Sequence, residues 1–228
     1  MIDVKNILNT QASNKQQLYL CNTGNKDTIV PDTYNFREEY PNCARPIANQ
    51  GNCSSSYAIA TVGAITDRWC RSNELSFPRL SAQGPLACDK AINSQCKGGY
   101  VSRTLDYAKI YGLVDEDCLP YTTNLTTPED CQKKTAQCQK HKIADYCVAK
   151  DLENIKQEIF NHGPVITVIP VYRDFLIYQK GLYQVYPRNQ RFSTGQAVKI
   201  IGWDVRDGQT CWLVENSWGE DWGENGIA

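Results

Sequence analysis

Eleven cysteines stand in this chain of 228 residues, and no two of them are spaced as Cys-x-x-Cys. That feature constrains the fold most. With only two histidines, His141 and His162, the chain offers poor spacing for a zinc site. No metal and no other cofactor is therefore expected. Cysteines at this density read as a disulfide framework, and such frameworks persist in oxidising compartments. The expected setting is secreted, lysosomal, vacuolar or surface-associated. An odd count leaves at least one thiol unpaired or joined to another chain.

The remaining composition excludes several classes. Twenty-four basic residues face twenty-five acidic ones, for a net charge of −1, and no Lys/Arg block that would track phosphates is present. Nucleic acid is not an expected partner. The longest apolar runs, such as Pro164 to Val171, are too short to cross a bilayer. The start Met-Ile-Asp-Val-Lys lacks the apolar stretch of a signal peptide.

Residues 1–28 are polar, rich in Asn, Gln, Lys and Ser, and read as an arm outside the core. From residue 29 the pattern becomes globular. Ser54 or Ser55 can cap a helix whose body, Tyr57 to Ile65, is small and apolar on nearly every face, which predicts burial all round. A second helix is predicted from Arg103 to Tyr111, capped by Ser102 and stopped by Gly112. A third is predicted from Leu152 to about Asn161, with Asp151 as cap and Gly163-Pro164 as stop. Beyond Gly163, four β-branched and aromatic runs read as strands: Pro164–Tyr172, Gly181–Tyr186, Ala197–Trp203 and Cys211–Asn216. Helices followed by strands predict an α+β protein of two lobes, about 29–150 and 151–228.

Several motifs then point one way. The run Asn49-Gln50-Gly51-Asn52-Cys53-Ser54-Ser55-Ser56-Tyr57 resembles the nucleophile segment of papain-type cysteine proteases. Pro31 to Cys43, Ala64 to Cys70, Cys96-Lys97-Gly98-Gly99-Tyr100, Asn161 to Val165, Val171 to Tyr178, Gly195 to Trp203 and Asn216-Ser217-Trp218-Gly219 continue the likeness in order. Over about Val30 to Ile227 the chain resembles the papain family, and within it the cathepsin B-like members. The resemblance implies a papain-like fold, with a helical N-terminal lobe and a β-barrel-like C-terminal lobe.

A cysteine protease needs a thiolate, an imidazole that takes and returns the proton, and a group that orients the imidazole. The resemblance assigns the nucleophile's place to Ser56, the base's place to Gln196, the orienter's to Asn216 and the oxyanion-hole amide to Gln50. It also puts Gly98, Gly99 and Trp218 along the peptide groove, although Gly98-Gly99 reads equally as a tight turn. Ser56 stands where the family has Cys, and Gln196 where it has His. A neutral amide has no titratable site near pH 7. A laboratory Cys-to-Ser exchange would account for Ser56 but not for Gln196, nor for Tyr57 in a slot where the family has Trp. His141 and His162 read as surface residues. The expectation is a pseudoenzyme, not an enzyme, acting by binding a peptide or protein partner or as a structural subunit of a larger assembly; the alternative is a residual or unconventional peptidase using Ser56.

The resemblance further implies disulfides Cys43–Cys70, Cys53–Cys96, Cys88–Cys131 and Cys118–Cys138, the last two being exchangeable. Cys21, Cys147 and Cys211 remain over and read as buried free thiols, with Cys21 able to bond elsewhere. The insertion that carries paired histidines in cathepsin B is shortened to about 124–142 here and has none. The family's final strand is expected to be missing after Ala228.

Overall fold

The computed structural model describes residues 2–3, 21, 29–72, 77–89, 94–125, 127–185, 190–206 and 208–228. Most of the arm expected over 1–28 lies outside these residues. The helices are α1 (Phe36–Glu39), α2 (Ser56–Ser72), α3 (Val101–Ile110), α4 (Pro128–Lys134) and α5 (Leu152–His162). The strands are β1 (Ile2–Asp3), β2 (Tyr34–Asn35), β3 (Val165–Tyr172), β4 (Arg191–Arg206) and β5 (Gln209–Glu215). Helices dominate the first part and one antiparallel sheet the second, an α+β architecture.

Local sequence explains most of the elements. Thr61 and Thr66 return their hydroxyls to the Tyr57 and Val62 carbonyls within α2 and so sit buried without cost to the apolar surround. Helix α2 is buried on nearly all sides, as its composition predicts. Its first N–H groups, of Ala58 and Ile59, find the Ser55 carbonyl, while the Ser55 hydroxyl bonds Tyr121 at 2.6 Å instead of capping the helix. Helix α5 starts at the expected place: Asp151 Oδ1 accepts from the Asn154 N–H at 2.8 Å, and Gly163, at φ 107°, closes it. Helix α3 begins two residues before Arg103, with Tyr100 at its cap position and no side-chain cap bond, so Ser102 lies inside its first turn.

The sheet is built around β4. Strand β5 pairs along one edge of it; β3 pairs along the other from Arg191 to Ile200, and β2 follows at Gly202 and Trp203. Gly202 is obligatory there, because a Cβ would stand 1.9 Å from the Tyr34 carbonyl oxygen of β2. Among the described residues, the run predicted over Gly181–Tyr186 forms no strand; its backbone is irregular around Tyr183. The Gly181 N–H donates to Glu224 Oε1 at 2.9 Å and the Tyr183 hydroxyl to Asp174 Oδ1 at 2.6 Å, Tyr183 making an isolated bridge and not part of a strand.

Two hydrophobic clusters form. One gathers Phe36, Ile159, Phe175, Ile200, Trp203, Trp212 and Val214 around the sheet. The other gathers Ala58, Val62, Leu86, Ala108, Leu113 and Val114 around α2 and α3. Trp203 and Trp212 lie opposite each other in the β4–β5 register and meet edge to face. Truncating either to Ala removes about 3–5 kcal/mol of stability.

Five disulfides are present among the described residues: Cys43–Cys70, Cys53–Cys96, Cys88–Cys131, Cys118–Cys138 and Cys21–Cys147. The fifth corrects the reading of Cys21 and Cys147 as free thiols; Cys211 is buried and outside any disulfide, its thiol donating to the Gln209 carbonyl at 3.5 Å. The Cys21 N–H also donates to the Val148 carbonyl at 3.1 Å, tying that point of the arm to the segment leading into α5.

Candidate active site

The site forms where α2 meets β4. Ser56 is the first residue of α2, and its hydroxyl accepts from the Ala197 N–H of β4 at 3.2 Å. The helix N-terminus beside it favours negative charge on that oxygen. Gln196, one residue earlier on β4, is almost wholly buried. Its Nε2 faces three oxygens: Gln50 Oε1 at 2.9 Å, Asn216 Oδ1 at 2.9 Å and Ser217 Oγ at 3.2 Å.

Gln50 is held at both ends. Its Oε1 also accepts from Ser217 Oγ at 2.7 Å, and its Nε2 donates to the Cys53 carbonyl at 2.9 Å. The amide that the resemblance assigns to an oxyanion hole is therefore directed at the chain's own backbone. Asn216 Oδ1 takes a second bond from the Ser217 N–H, at 2.8 Å, whereas its buried Nδ2 has no partner. Gln50, Gln196 and Asn216 are thus hydrogen-bonded together, and Ser56 reaches the neighbouring Ala197. Ser217 was given no role by the sequence reading, yet its hydroxyl joins Gln50 to Gln196. Its place beside Asn216 is the only signal the sequence held.

Gly98 and Gly99 follow a short 3₁₀ turn, Gln95–Lys97, that the Cys53–Cys96 disulfide pins to the start of α2. Gly98 adopts φ 111°, and nothing lies within 4 Å of where its Cβ would stand. After β5, Trp218 bridges to Asn49 and packs edge to face on Phe175 and Trp222.

The histidines are engaged elsewhere. His162 is exposed and lies 3.3 Å from Glu158. His141 is half-buried and not fully exposed: its Nε2 bonds Asp115 at 2.9 Å and its ring packs against Trp69 and Phe77. Its polar neighbours in sequence concealed that burial.

Behind the site lies a cavity of about 310 Å³ lined in part by Asp67, Lys199, Glu215 and Asn216. Lys199 of β4 is fully buried and pairs with Asp67 of α2 and with Glu215 at 2.8 Å; Arg37 meets Glu215 at 2.9 Å. Burial pushes the Asp67 carboxyl up to about 6, against the pull of Lys199. Burial would lower Lys199, but the two carboxylates more than offset it and hold its ammonium above the ordinary lysine value. Cys21, Cys147 and Glu158 also bring ligand-type atoms within 4.8 Å of one another, but the two sulfurs are bonded together and are not thiolates.

Residues 30–228 match the family described as papain family cysteine protease. Cathepsin B-like CP3 of Giardia intestinalis is 32% identical over 209 residues, which span 87% of this chain and 68% of that protein. Cathepsin B-like cysteine proteinase 3 of Caenorhabditis elegans is 36% identical over 226 residues, 87% of this chain and 60% of that one, so the chain spans less than two thirds of this relative. Procathepsin B S9 of Trypanosoma congolense superposes with a TM-score of 0.83 at 29% identity, over 92% of this chain and 76% of the other.

These matches overturn the expectation that the chain is not an enzyme: relatives across most of its length are named as proteinases, and a cysteine peptidase is what family and fold point to. The five disulfides fit the oxidising setting inferred from cysteine usage, and no helix among the described residues is long and apolar enough to cross a membrane. By its matched residues, its relatives and its superposition, this chain belongs to the papain family of cysteine proteases and is cathepsin B-like within it.

Proposed function

We propose that the chain engages an extended peptide or protein segment in the cleft between its lobes, in a secreted or lysosomal setting. Helix α2 with the turn at residues 95–99 supplies one wall and the sheet around β4 the other. The observation that carries this is the backbone at Gly98, with nothing within 4 Å of its Cβ position, held beside the start of α2 by the Cys53–Cys96 staple. An unencumbered main chain can pair with an extended segment, and side-chain pockets then choose among sequences. Trp218, half-buried on its aromatic support, supplies an apolar surface on the other wall. That several relatives are named proteinases supports a peptide as the bound chemistry.

The test is direct binding of fluorescein-labelled peptides to the purified chain, beside the variant Gly99→Leu. Saturable binding that Gly99→Leu weakens is expected. Binding to neither, or equally to both, would overturn the reading.

A second reading is favoured by the position of Ser56 at the helix N-terminus: Ser56 attacks the bound peptide. Its proton has to leave for a base, and Gln196 offers no basic nitrogen, so hydroxide takes it; Oγ adds to the peptide carbonyl, the C–N bond breaks with water protonating the leaving amine, and a second water hydrolyses the Ser56 ester. Turnover of dipeptidyl and longer fluorogenic substrates then rises with pH and disappears in Ser56→Ala. Turnover unchanged by Ser56→Ala would remove this reading.

A further inference from the structure

The amide cluster at the site leaves one buried donor over, and its orientation is fixed link by link. The Cys53 carbonyl can only accept, so Gln50 gives it Nε2 and turns Oε1 towards Gln196. Gln196 then has to present Nε2. The Ser217 backbone N–H can only donate, so Asn216 turns Oδ1 to it and to Gln196. Asn216 Nδ2 is therefore a donor by necessity, buried and without an acceptor among the described residues. A buried donor left unmet costs about 1–3 kcal/mol.

Asn216 lines the cavity behind the site. So does Arg45, whose buried Nε also lacks an acceptor among the described residues, while its Nη2 donates to the Phe77 carbonyl at 3.0 Å. One nitrogen of Arg37 donates to the Arg45 carbonyl and to Glu215, both at 2.9 Å, which sets Arg45 beside the end of β5 that leads into Asn216. At about 310 Å³ the cavity is far larger than a single water needs and lies at the small end of ligand sites.

Charge and surface narrow the class of ligand. Arg45, Arg79 and Lys199 line the cavity against Asp67, Glu116 and Glu215, and Arg37 adds one further positive charge at Glu215. Asp67 and Glu215 already share Lys199. What is left unmet is N–H donors and a single positive charge, which suits one anionic group, whereas a dianion would meet three carboxylates. Much of the remaining wall is apolar, from Ile59 and Val62 of α2 to Leu80 and Ala82.

We propose that this cavity binds a small monocarboxylate with a short apolar tail. Its two oxygens accept from Asn216 Nδ2 and Arg45 Nε, and its tail lies on the wall of Ile59 and Leu80. Because Asn216 Oδ1 holds Gln196, the ligand braces the amide cluster from behind. Gly98, Gly99 and Trp218 do not line this cavity, so the site is distinct from the peptide cleft proposed above.

The experiment is an NMR titration of the Asn216 side-chain amide with sodium butanoate, at ionic strength held constant with sodium chloride. The full chain is compared with Arg45→Met, which removes the guanidinium, and with Gly63→Leu, which fills the cavity from α2. A Cβ at Gly63 meets Lys199 only at ordinary contact, 3.5 Å, and Leu favours the helix. Butanoate is expected to shift the Asn216 resonance saturably, and neutral butanamide to need about tenfold or more concentration. Arg45→Met is expected to weaken butanoate about tenfold or more, and Gly63→Leu to abolish the saturable shift. A shift that does not saturate, an equal response to butanamide, or unchanged affinity in either folded variant overturns the proposal. Should Gly63→Leu fail to fold, Arg45→Met decides.

Discussion

Gln196 of β4 and Gln50, just before α2, are joined: Nε2 of the first donates to Oε1 of the second at 2.9 Å, and Gln50 spends its own Nε2 on the Cys53 carbonyl. Asn216 and Ser217 complete the cluster from the end of β5. None of these four side chains titrates near neutrality, so the junction holds over a wide pH range.

Truncating Gln196 to Ala leaves Gln50 Oε1, Asn216 Oδ1 and Ser217 Oγ short of a donor in a buried place. The expected loss is about 1–3 kcal/mol of unfolding free energy. Urea unfolding of the wild type and Gln196→Ala checks it; a loss below about 0.5 kcal/mol would mean that water replaces the amide fully.

Ser56 and Gln196 also allow a test of the electrostatics at the helix start. In Ser56→Cys the thiol has the α2 N-terminus beside it, and in the double variant with Gln196→His an imidazole as well. Both lower a thiol's pKa, the imidazolium more strongly. Iodoacetamide labelling at pH 6 is expected to run at least about tenfold faster in the double variant than in Ser56→Cys alone. Equal rates would show that the introduced imidazole does not reach the sulfur.

Much of this arrangement was legible in the sequence. Asp151 with Gly163 marked α5, because caps are local chemistry. The apolar body of α2 announced its burial, and motif order brought Gln50, Ser56, Gln196 and Asn216 to one site. What stayed hidden depends on distant partners. Cys21 and Cys147 are 126 residues apart, and nothing near either one names the other. Lys199 sits in an apolar strand and Asp67 in an apolar helix, and only the fold pairs them. His141 looked exposed because its sequence neighbours are polar, while Trp69 and Phe77, which cover it, come from another segment.

Lys199→Met tests that buried pairing. The substitution keeps most of the volume and removes the charge, leaving Asp67 and Glu215 without their shared cation. Breaking a buried pair from one side costs about 3–5 kcal/mol. Arg37 still neutralises Glu215, so the smaller part of that range is expected. Thermal unfolding at pH 7 measures it, and Lys199→Met combined with Asp67→Asn is expected to recover part of the loss.

Asp67 gives the pH dependence a sign. Its folded pKa, about 6, lies above the ordinary 3.8. Between those values the folded chain holds a proton that the unfolded chain has released. Stability from this group is therefore full below about pH 4 and declines as pH rises through 6, by up to about 3 kcal/mol. Asp67→Asn is expected to flatten that part of the profile in unfolding curves taken at half-unit steps from pH 4 to 7. A wild-type profile whose slope from pH 4 to 6 survives unchanged in Asp67→Asn would assign the effect to other carboxylates.

The Cys21–Cys147 crosslink lets the contribution of the N-terminal segment be measured as stability. Its two cysteines are 126 residues apart, so the bond removes much of the freedom of the unfolded chain. Replacing both with Ser avoids leaving a reactive thiol and is expected to cost about 2–5 kcal/mol, read as an earlier midpoint in guanidinium. Cys21 itself keeps its backbone bond to Val148 in that variant but loses the covalent tie, so proteolysis near residue 21 is expected to quicken while the remaining disulfides stay intact. A midpoint within error of the wild type would mean that the 21–147 bond closes a loop the unfolded chain already keeps closed.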